Sequence, residues 1–322
     1  MNAKTMVPTV TGIIPVEQLG KTLAHEHVFV LGEEFRQNYQ ADWDEEEKIS
    51  QAVRDLNELK SLGIDSIMDP TVIGLGRYIP RIQRIAEQTD LNIVVATGLY
   101  TYNELPFQFH YSAPGVLSEG PEPLAKLFVN DIENGISGTG VKAAFLKCAI
   151  DRPGMTPGVE RVMRAVALAH AQTGAPITVH TSVHNRSGLD AQRLFREEGV
   201  DLTRVIIGHS GDSTDLDYLM QLADSGSILG MDRFGVDPLL PFEERVDTVA
   251  ELAKRGYADR LVLAHDASCF IDWFDPHEKA KALPRWNFRH ISEDVLPALA
   301  ERGVSEEQIH SMLVDNVRRY FS

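Results

Sequence analysis

Two histidines separated by one residue are the first candidates for chemistry in this chain. His25 and His27 lie in the apolar run 23–30, Leu-Ala-His-Glu-His-Val-Phe-Val. If this run is a strand, its period of two places both imidazoles on one face, where they can bind one metal ion. On a helix the same spacing would turn them about 200° apart. Two surface histidines in a loop are the alternative.

Later strand-like runs also carry side chains that bind metals. His180, His209 and Asp266 each stand at the end of an apolar run, and Lys147 lies inside the run 143–149. Imidazole and carboxylate groups are the ligands that zinc prefers. Four histidines and an aspartate exceed what one tetrahedral ion needs, so the sequence predicts two ions.

Lys147 is the unusual member of this set. Two dications would repel an ammonium group, and burial alone already disfavours its charge. A neutral buried amine can instead add carbon dioxide and become a carbamate, which is a carboxylate able to bridge both ions. The alternative is a structural lysine in a salt bridge, but the neighbouring ligand-like histidines favour the carbamate.

Two adjacent residues compete for the last ligand position. Neighbouring residues of a strand point to opposite faces, so only one of His265 and Asp266 faces the ions. Their positions along the strand do not show which of the two it is. His180 and His184 are four apart, as in a zinc-protease helix, but the glutamate of that motif is missing and the preceding run is strand-like. The remaining histidines are expected outside the site, in loops or on helices: His110, His170, His184, His277, His290 and His310.

The segments between these residues alternate between strands and helices. Strands are predicted over 23–30, 64–69, 92–97, 143–149, 176–180, 205–209, 227–232 and 260–266. Helices are predicted over 44–61 with Asp44 as N-cap, 81–88, 124–134, 159–173, 189–198, 216–225, 242–255, and near 290–302 and 305–314. Near-continuous apolar strands, each followed by a helix, indicate parallel strands buried on both faces. Eight such units predict a (β/α)8 TIM barrel, and a doubly wound sheet is the alternative.

The chain is expected to form a single domain, residues 1–322, that begins with a short hairpin over 8–16 turning at Gly12. Linker-like tracts, nucleotide-binding glycine motifs and sequence repeats are absent from it. Because the active sites of such barrels lie at the carboxyl ends of the strands, the candidate ligands are expected to meet there.

Composition limits the partners. The formal charge is −16, from 31 Lys and Arg against 47 Asp and Glu, which repels phosphate backbones and excludes nucleic acid as an expected partner. The N-terminal segment lacks the apolar core of a signal peptide, and no stretch approaches the ~20 apolar residues of a membrane span. The two cysteines, Cys148 and Cys269, form no Cys-x-x-Cys pair. These features predict a cytoplasmic protein without a membrane partner.

Taken together, the motifs resemble those of the amidohydrolase superfamily, and most closely those of the phosphotriesterase-like lactonases. The resemblance runs from about residue 9 to the end of the chain, and the combination is specific although each motif alone is weak. The segments that carry it are His25-Glu26-His27, Phe145-Leu146-Lys147-Cys148, Thr178-Val179-His180-Thr181, Ile207-Gly208-His209-Ser210-Gly211-Asp212 and Ala264-His265-Asp266.

The resemblance implies two divalent transition-metal ions, zinc with iron or cobalt as alternatives. Their ligands would be His25, His27 and Asp266 for the more buried ion, His180 and His209 for the more exposed ion, and carbamylated Lys147 with a hydroxide as bridges. It thereby selects Asp266 over His265. It also implies a homodimer.

Three further residues are expected to contact the substrate. By the resemblance, Tyr100 lies over the metals beside the substrate and Arg233 lies on the rim of the site. The segment 267–288 is read as one long loop, and loops of this length are usually functional. Its Trp273 is predicted to form part of an apolar groove for an acyl chain.

With the ligand pattern, the resemblance implies a binuclear metal hydrolase that acts on lactones. The substrates would be N-acyl-homoserine lactones, a quorum-quenching activity, or plain aliphatic lactones. The bridging hydroxide would attack the carbonyl, with Asp266 as general base and then acid. Weak phosphotriesterase activity is expected alongside. The alternatives are a dedicated organophosphate triesterase and a metal-dependent binding protein without turnover. Lys147 and Asp266 both count against the binding protein, which would need neither.

Overall fold

The computed structural model describes residues 5–39, 43–112, 114, 116 and 120–322. Its strands are β1 (Met6–Thr9), β2 (Gly12–Pro15), β3 (Thr22–Leu23), β4 (His27–Val30), β5 (Ser66–Asp69), β6 (Asn92–Gly98), β7 (Phe145–Ile150), β8 (Ile177–Thr181), β9 (Val205–Gly208), β10 (Ile228–Met231), β11 (Leu261–Leu263) and β12 (Ser268–Ile271). Residues 1–4 of the predicted domain lie outside the described part, and its single-domain assignment stays a prediction.

The α-helices of the described residues are mostly those that the sequence predicts. They are α1 (Glu33–Tyr39), α2 (Glu45–Ser61), α3 (Ile79–Ala86), α4 (Phe107–Tyr111), α5 (Pro123–Glu133), α6 (Pro157–Thr173), α7 (Ser187–Glu197), α8 (Leu216–Asp224), α9 (Phe242–Lys254), α10 (Pro276–Ala282), α11 (Leu296–Glu301), α12 (Glu306–His310) and α13 (Asn316–Phe321). Asp44 caps α2 by accepting a hydrogen bond from the amide of Glu47. Among the described helices, none combines the length and the apolar character that crossing a bilayer requires.

Eight parallel strands form the central sheet, in the order β3-β5-β6-β7-β8-β9-β10-β11. The sheet closes on itself because the amide of Ala24, just after β3, donates to the carbonyl of Leu263 in β11 at 3.2 Å. The predicted (β/α)8 barrel is confirmed. Both faces of its strands are buried: in β6, Val94 and Ala96 join the apolar cluster inside the barrel, whereas Ile93 joins the cluster under the helices.

The prediction of one continuous first strand over 23–30 is wrong. The chain leaves the barrel after β3, bends at Ala24 and His25, and resumes as β4, which pairs in parallel with β12. The ring centroids of His25 and His27 still lie 5.5 Å apart. The bend, and not a period of two along one strand, therefore brings these imidazoles together.

Two other segments differ from their predictions. The segment 267–288 is not a plain loop, because β12 and α10 lie within it. The predicted N-terminal hairpin is formed by β1 and β2, but the pairing of Thr9 with Gly12 places its turn at Val10 and Thr11. Short strands and helices without a full apolar repeat are hard to detect from the sequence pattern alone, which explains why β12 and α10 were not predicted.

A buried glutamate connects the first and last parts of the barrel. The side chain of Glu26 is fully buried and accepts three hydrogen bonds: from the amide of His265 at 2.7 Å, from its Nδ1 at 2.6 Å, and from the amide of Ala267 at 3.0 Å. Water cannot easily replace a lost acceptor at this depth, so breaking these bonds costs free energy. The bonds therefore hold the chain after β11 against the chain after β3.

Replacing Glu26 by alanine should lower the free energy of unfolding by about 3 kcal/mol or more, because it leaves three buried donors without an acceptor. Urea titration followed by circular dichroism measures the change. Glu17→Ala, at an exposed position, is the control and should leave the midpoint unchanged. Equal midpoints for the two variants would contradict this role of Glu26.

Candidate active site

Every predicted site residue lines one cavity of about 210 Å³ at the carboxyl ends of the barrel strands. These residues are His25, His27, Tyr100, Lys147, His180, His209, Arg233, Asp266 and Trp273. Most of the ionisable groups in this set are buried, and Trp273 at the mouth is 55% exposed. The structure thus brings together residues that are far apart in the sequence.

The first group consists of His25, His27 and Asp266. One carboxylate oxygen of Asp266, Oδ1, lies 3.4 Å from Nε2 of His25 and 3.2 Å from Nε2 of His27. The opposite nitrogen of His25, Nδ1, lies 3.0 Å from Oδ2 of Asp232. A carboxylate at Nδ1 keeps the proton there and leaves the Nε2 lone pair facing the cavity. Three donor atoms around one point can hold a metal ion.

His27 is oriented through a hydroxyl group. Its Nδ1 lies 2.7 Å from Oγ1 of Thr71, and that hydroxyl donates to Asp69 at 2.5 Å. Burial by itself would lower the pKa of His27, but the carboxylates of Asp266 and Asp69 outweigh it and raise the pKa to about 9. The position between His27 and Asp266 therefore attracts positive charge, as a metal-ion site must.

The second group consists of His180 and His209. Nδ1 of His180 lies 2.8 Å from Nε2 of His209. The outer nitrogens of both rings meet carboxylates, at 2.6 Å for Asp151 on His180 and 3.0 Å for Asp232 on His209. Burial lowers the pKa of His180 to about 4 and that of His209 well below its usual value. Two neutral rings can both offer a nitrogen lone pair to one cation.

His25, His209 and Asp232 form another grouping of potential ligands. Asp232 is fully buried, and its Oδ1 also accepts the backbone amide of His209 at 2.8 Å. Its carboxylate is thus engaged by three donors. We therefore assign Asp232 to the orientation of both imidazoles and not to direct metal binding.

Lys147 lies between the two groups. It is buried, with Nζ 3.5 Å from Nε2 of His25, and burial lowers its pKa to about 8. Among the residues that the structure describes, Lys147 forms no salt bridge with a carboxylate. This is not the arrangement of a structural, salt-bridged lysine. Because the pKa of Lys147 is about 8, part of its amine is neutral near physiological pH.

The backbone resolves the choice between His265 and Asp266. Strand β11 ends at Leu263, and Asp266 has a left-handed φ of 56°, so strand parity does not apply. Asp266 faces the cavity. The ring of His265 points away, with its Nε2 accepting the amide of Ile291 at 2.9 Å. His209 also has a left-handed φ, 63°, and such conformations in non-glycine residues concentrate at functional sites.

Arg233 lies deeper than the rim position expected for it. Its Nε donates to Oδ2 of Asp266 at 3.0 Å, and one terminal nitrogen donates to Asp212 at 3.0 Å. Burial alone would raise the pKa of Asp266, but the surrounding cationic and imidazole groups, His25, His27, His209 and Arg233, hold it well below its usual range. Asp266 is therefore an oriented, ionised carboxylate.

Tyr100 lies over the second group. Its hydroxyl is 3.2 Å from Nδ1 of His180 and 2.7 Å from the hydroxyl of Tyr102. Burial raises the pKa of Tyr100 well above its usual value, so the phenol stays protonated and can donate. Higher in the cavity the wall is mainly apolar, formed by Val30, Leu75, Val236, Leu239, Ile271, Trp273, Phe274 and Trp286.

Sequence reasoning did not single out the carboxylates that orient the histidines. Asp69 ends β5, Asp151 follows β7 and Asp232 follows β10. Like His209, which directly follows β9, these carboxylates lie at or directly after the carboxyl end of a barrel strand. Applying the strand-end rule to every polar residue would have found all three, although it could not have separated ligands from orienting groups.

The sequence matches the model of the phosphotriesterase family over residues 5–321. This chain belongs to the phosphotriesterase family. It is 58% identical to the phosphotriesterase homology protein of Mycobacterium tuberculosis, over 97% of this chain and 96% of that protein. It is 41% identical to the aryldialkylphosphatase of Saccharolobus solfataricus, over 96% of this chain and 97% of that protein.

Structural comparison agrees with this assignment. The solved structure of the phosphotriesterase from Mycobacterium tuberculosis superposes with a TM-score of 0.97 at 57% identity and covers 98% of each chain. A more distant relative is the N-acetyltaurine hydrolase of Xenopus tropicalis, which is 26% identical over 98% of this chain and 97% of that protein. The phosphotriesterase-like resemblance is confirmed, and the chain is a hydrolase of this family.

The site geometry predicts that Asp232→Ala weakens metal binding at both histidine groups. The change removes the carboxylate that orients His25 and His209, and losing such a partner typically costs 10–100-fold in metal affinity. Elemental analysis after dialysis against a metal buffer measures the bound ions per chain. Asp224→Ala, at an exposed carboxylate on α8, is the control. Full metal content in the Asp232 variant would show that the carboxylate is dispensable.

Proposed function

We propose that this phosphotriesterase-family hydrolase is a metal-dependent lactonase with weaker phosphotriesterase activity. Its substrates would be N-acyl-homoserine lactones or aliphatic lactones. The supporting observation is the position of the Tyr100 hydroxyl, 3.2 Å from Nδ1 of His180, at the base of a cavity of only about 210 Å³ with apolar upper walls. A small cyclic ester fits this combination of a polar base and apolar walls.

The donor set supports two divalent transition-metal ions, with zinc first and iron or cobalt as alternatives. The proposed ligands are His25, His27 and Asp266 for one ion, His180 and His209 for the other, and a carbamate on Lys147 between them. When bound, such ions supply Lewis acidity, which acidifies water and polarises a carbonyl or phosphoryl oxygen. The lowered pKa of Lys147 favours carbamate formation, because only the unprotonated amine adds carbon dioxide.

Asp266 would move the proton in this reaction. Its ionised carboxylate accepts a proton from the attacking water and delivers it to the ring oxygen as the acyl C–O bond breaks, which yields a hydroxy acid. Arg233 cannot accept that proton, because a guanidinium group stays charged in proteins. Its role is therefore to orient Asp266 through the 3.0 Å hydrogen bond.

Tyr100 would act on the substrate directly. Its protonated hydroxyl can donate to the carbonyl oxygen as negative charge develops there. The ester group of a lactone is planar, whereas a triester carries three substituents on a tetrahedral phosphorus and would fill more of the cavity. Trp273, exposed at the mouth, would contact the acyl chain.

A dedicated phosphotriesterase is the second candidate, because a relative at 41% identity is named aryldialkylphosphatase. A binding protein without turnover accounts less well for the oriented carboxylate of Asp266 and for the buried Lys147 between the two histidine groups. The predicted homodimer and cytoplasmic location stay predictions.

We expect purified protein to hold close to two transition-metal ions per chain. Lys147→Ala should lose metal and activity together, and short carboxylates such as acetate should partly restore both by replacing the carbamate. Elemental analysis and a lactone hydrolysis assay measure the two effects. Lys142→Ala, a change in the loop before β7, is the control. Full activity with one ion or fewer would contradict the binuclear proposal, and an unaffected Lys147 variant would show that this lysine is structural.

Lactones should exceed phosphotriesters in kcat/KM by several orders of magnitude. Tyr100→Phe should lower lactone kcat/KM by about 10²-fold, the usual cost of an oxyanion donor, and should affect the triester reaction less. Steady-state kinetics with matched lactone and aryl triester panels test both statements.

Tyr257→Phe, which removes a hydroxyl that bonds Asp224 away from the cavity, is the control for Tyr100. If the unmodified enzyme prefers the triester, or if Tyr100→Phe keeps full lactonase activity, the dedicated phosphotriesterase becomes the better description.

A further inference from the structure

His180 is held differently from the other three candidate ligand histidines. His25 and His209 share the fully buried carboxylate of Asp232, and His27 is held through the buried hydroxyl of Thr71. The outer nitrogen of His180 depends on Asp151, whose side chain is 18% exposed. The orientation of the second group thus rests partly on a carboxylate at the edge of the cavity.

We propose that Asp151 is a positioning residue that controls occupancy of the more exposed metal ion and leaves the more buried ion unaffected. This inference rests on the proposed binuclear centre. Asp151 acts through His180: its Oδ2 lies 2.6 Å from Nε2 of that ring. The hydrogen bond keeps the ring proton on Nε2, which leaves the lone pair on Nδ1 directed at His209.

Other acceptors compete for that proton. Nδ1 of His180 has the Tyr100 hydroxyl at 3.2 Å and Nε2 of His209 at 2.8 Å, and either can accept a hydrogen bond from it. Without the carboxylate, the neutral ring gains a partner by placing its proton on Nδ1. That tautomer directs an N–H group at His209 and cannot bind an ion there.

The local structure holds Asp151 in position. It directly follows β7, the strand that carries Lys147. Its Oδ1 accepts the amide of Arg152 at 2.5 Å, and its carbonyl accepts the side-chain amide of Asn185 at 3.2 Å. A carboxylate held in one position favours one tautomer of the His180 ring, whereas a mobile carboxylate would not.

The effect is confined to the second group. Within the described residues, the hydrogen bonds and ion pairs of the Asp151 side chain reach His180 and the Arg152 amide, and none reaches His25, His27 or Asp266. Asp232, in contrast, contacts a ring in each group. The two carboxylates therefore predict different patterns of metal loss.

The test counts ions per chain in Asp151→Ala, Asp151→Asn and the neighbouring exposed-site control Arg152→Ala. Each protein is equilibrated with zinc at buffered free concentrations and analysed for bound metal. In Asp151→Ala the first ion should bind as in the unmodified protein, and the second should bind about 10–100-fold more weakly. Asp151→Asn keeps an oxygen acceptor at Nε2 and should lose less. Arg152→Ala should retain two ions.

A second measurement reads the tautomer directly. In metal-free protein labelled with ¹⁵N-histidine, the His180 ring proton should lie on Nε2 in the unmodified chain and move to Nδ1 in Asp151→Ala.

Equal affinity for the second ion in all variants would overturn the role of Asp151, as would equal weakening of both ions in a folded variant. An unchanged tautomer in Asp151→Ala would also overturn it. If Asp151→Ala does not fold, Asp151→Leu, which keeps the branched shape of the side chain and also removes the acceptor, decides the question by the same two readouts. Selective weakening of the second ion in that variant supports the proposal, and unchanged affinity refutes it. Unmodified protein that binds a single ion would overturn the binuclear proposal as well, which separates the two failures.

Discussion

The organisation of the site depends on one buried carboxylate. Asp232 at the end of β10 bonds Nδ1 of His25 through one oxygen and Nδ1 of His209 through the other, each at 3.0 Å. These rings come from opposite parts of the chain, and the shared carboxylate makes the orientation of one depend on the other. A buried anion is costly unless its partners satisfy it fully. The two imidazoles and the His209 amide meet that requirement, so the same contacts stabilise Asp232 and direct the ring lone pairs into the cavity.

The barrel makes this arrangement possible because its parallel strands end on one side. Interior positions such as Val94 and Ala96 fill the space below, and polar residues near the strand ends can point into the cavity above them. Local backbone conformation then sets the final aim of each side chain. Asp266 and His209 both adopt left-handed φ values, and the chain bends between β3 and β4. The regular fold brings the residues to one place, and the irregular backbone orients them.

This division explains what could be predicted from the sequence. Apolar runs alternating with amphipathic segments predicted the barrel, and polar residues at strand ends predicted which side chains line the cavity. The bend at Ala24 and the left-handed turn at Asp266 could not be predicted, because both depend on contacts across the barrel, such as those of Glu26, and not on local pattern. For the same reason strand parity could not choose between His265 and Asp266. The roles of Asp69, Asp151 and Asp232 depend on which nitrogen each carboxylate meets, and sequence spacing carries no such information.

Closure of the barrel between β3 and β11 also has a consequence for biosynthesis. The first group of ligands joins residues 25 and 27 to residue 266, and Glu26 bonds to the chain at residues 265 and 267. Contacts of such high sequence separation form late, because the loop-closure entropy must be met first. On a ribosome, the N-terminal histidines emerge early, but Asp266 can join them only after most of the chain has been synthesised. Assembly of this site is therefore one of the last events in the maturation of the protein.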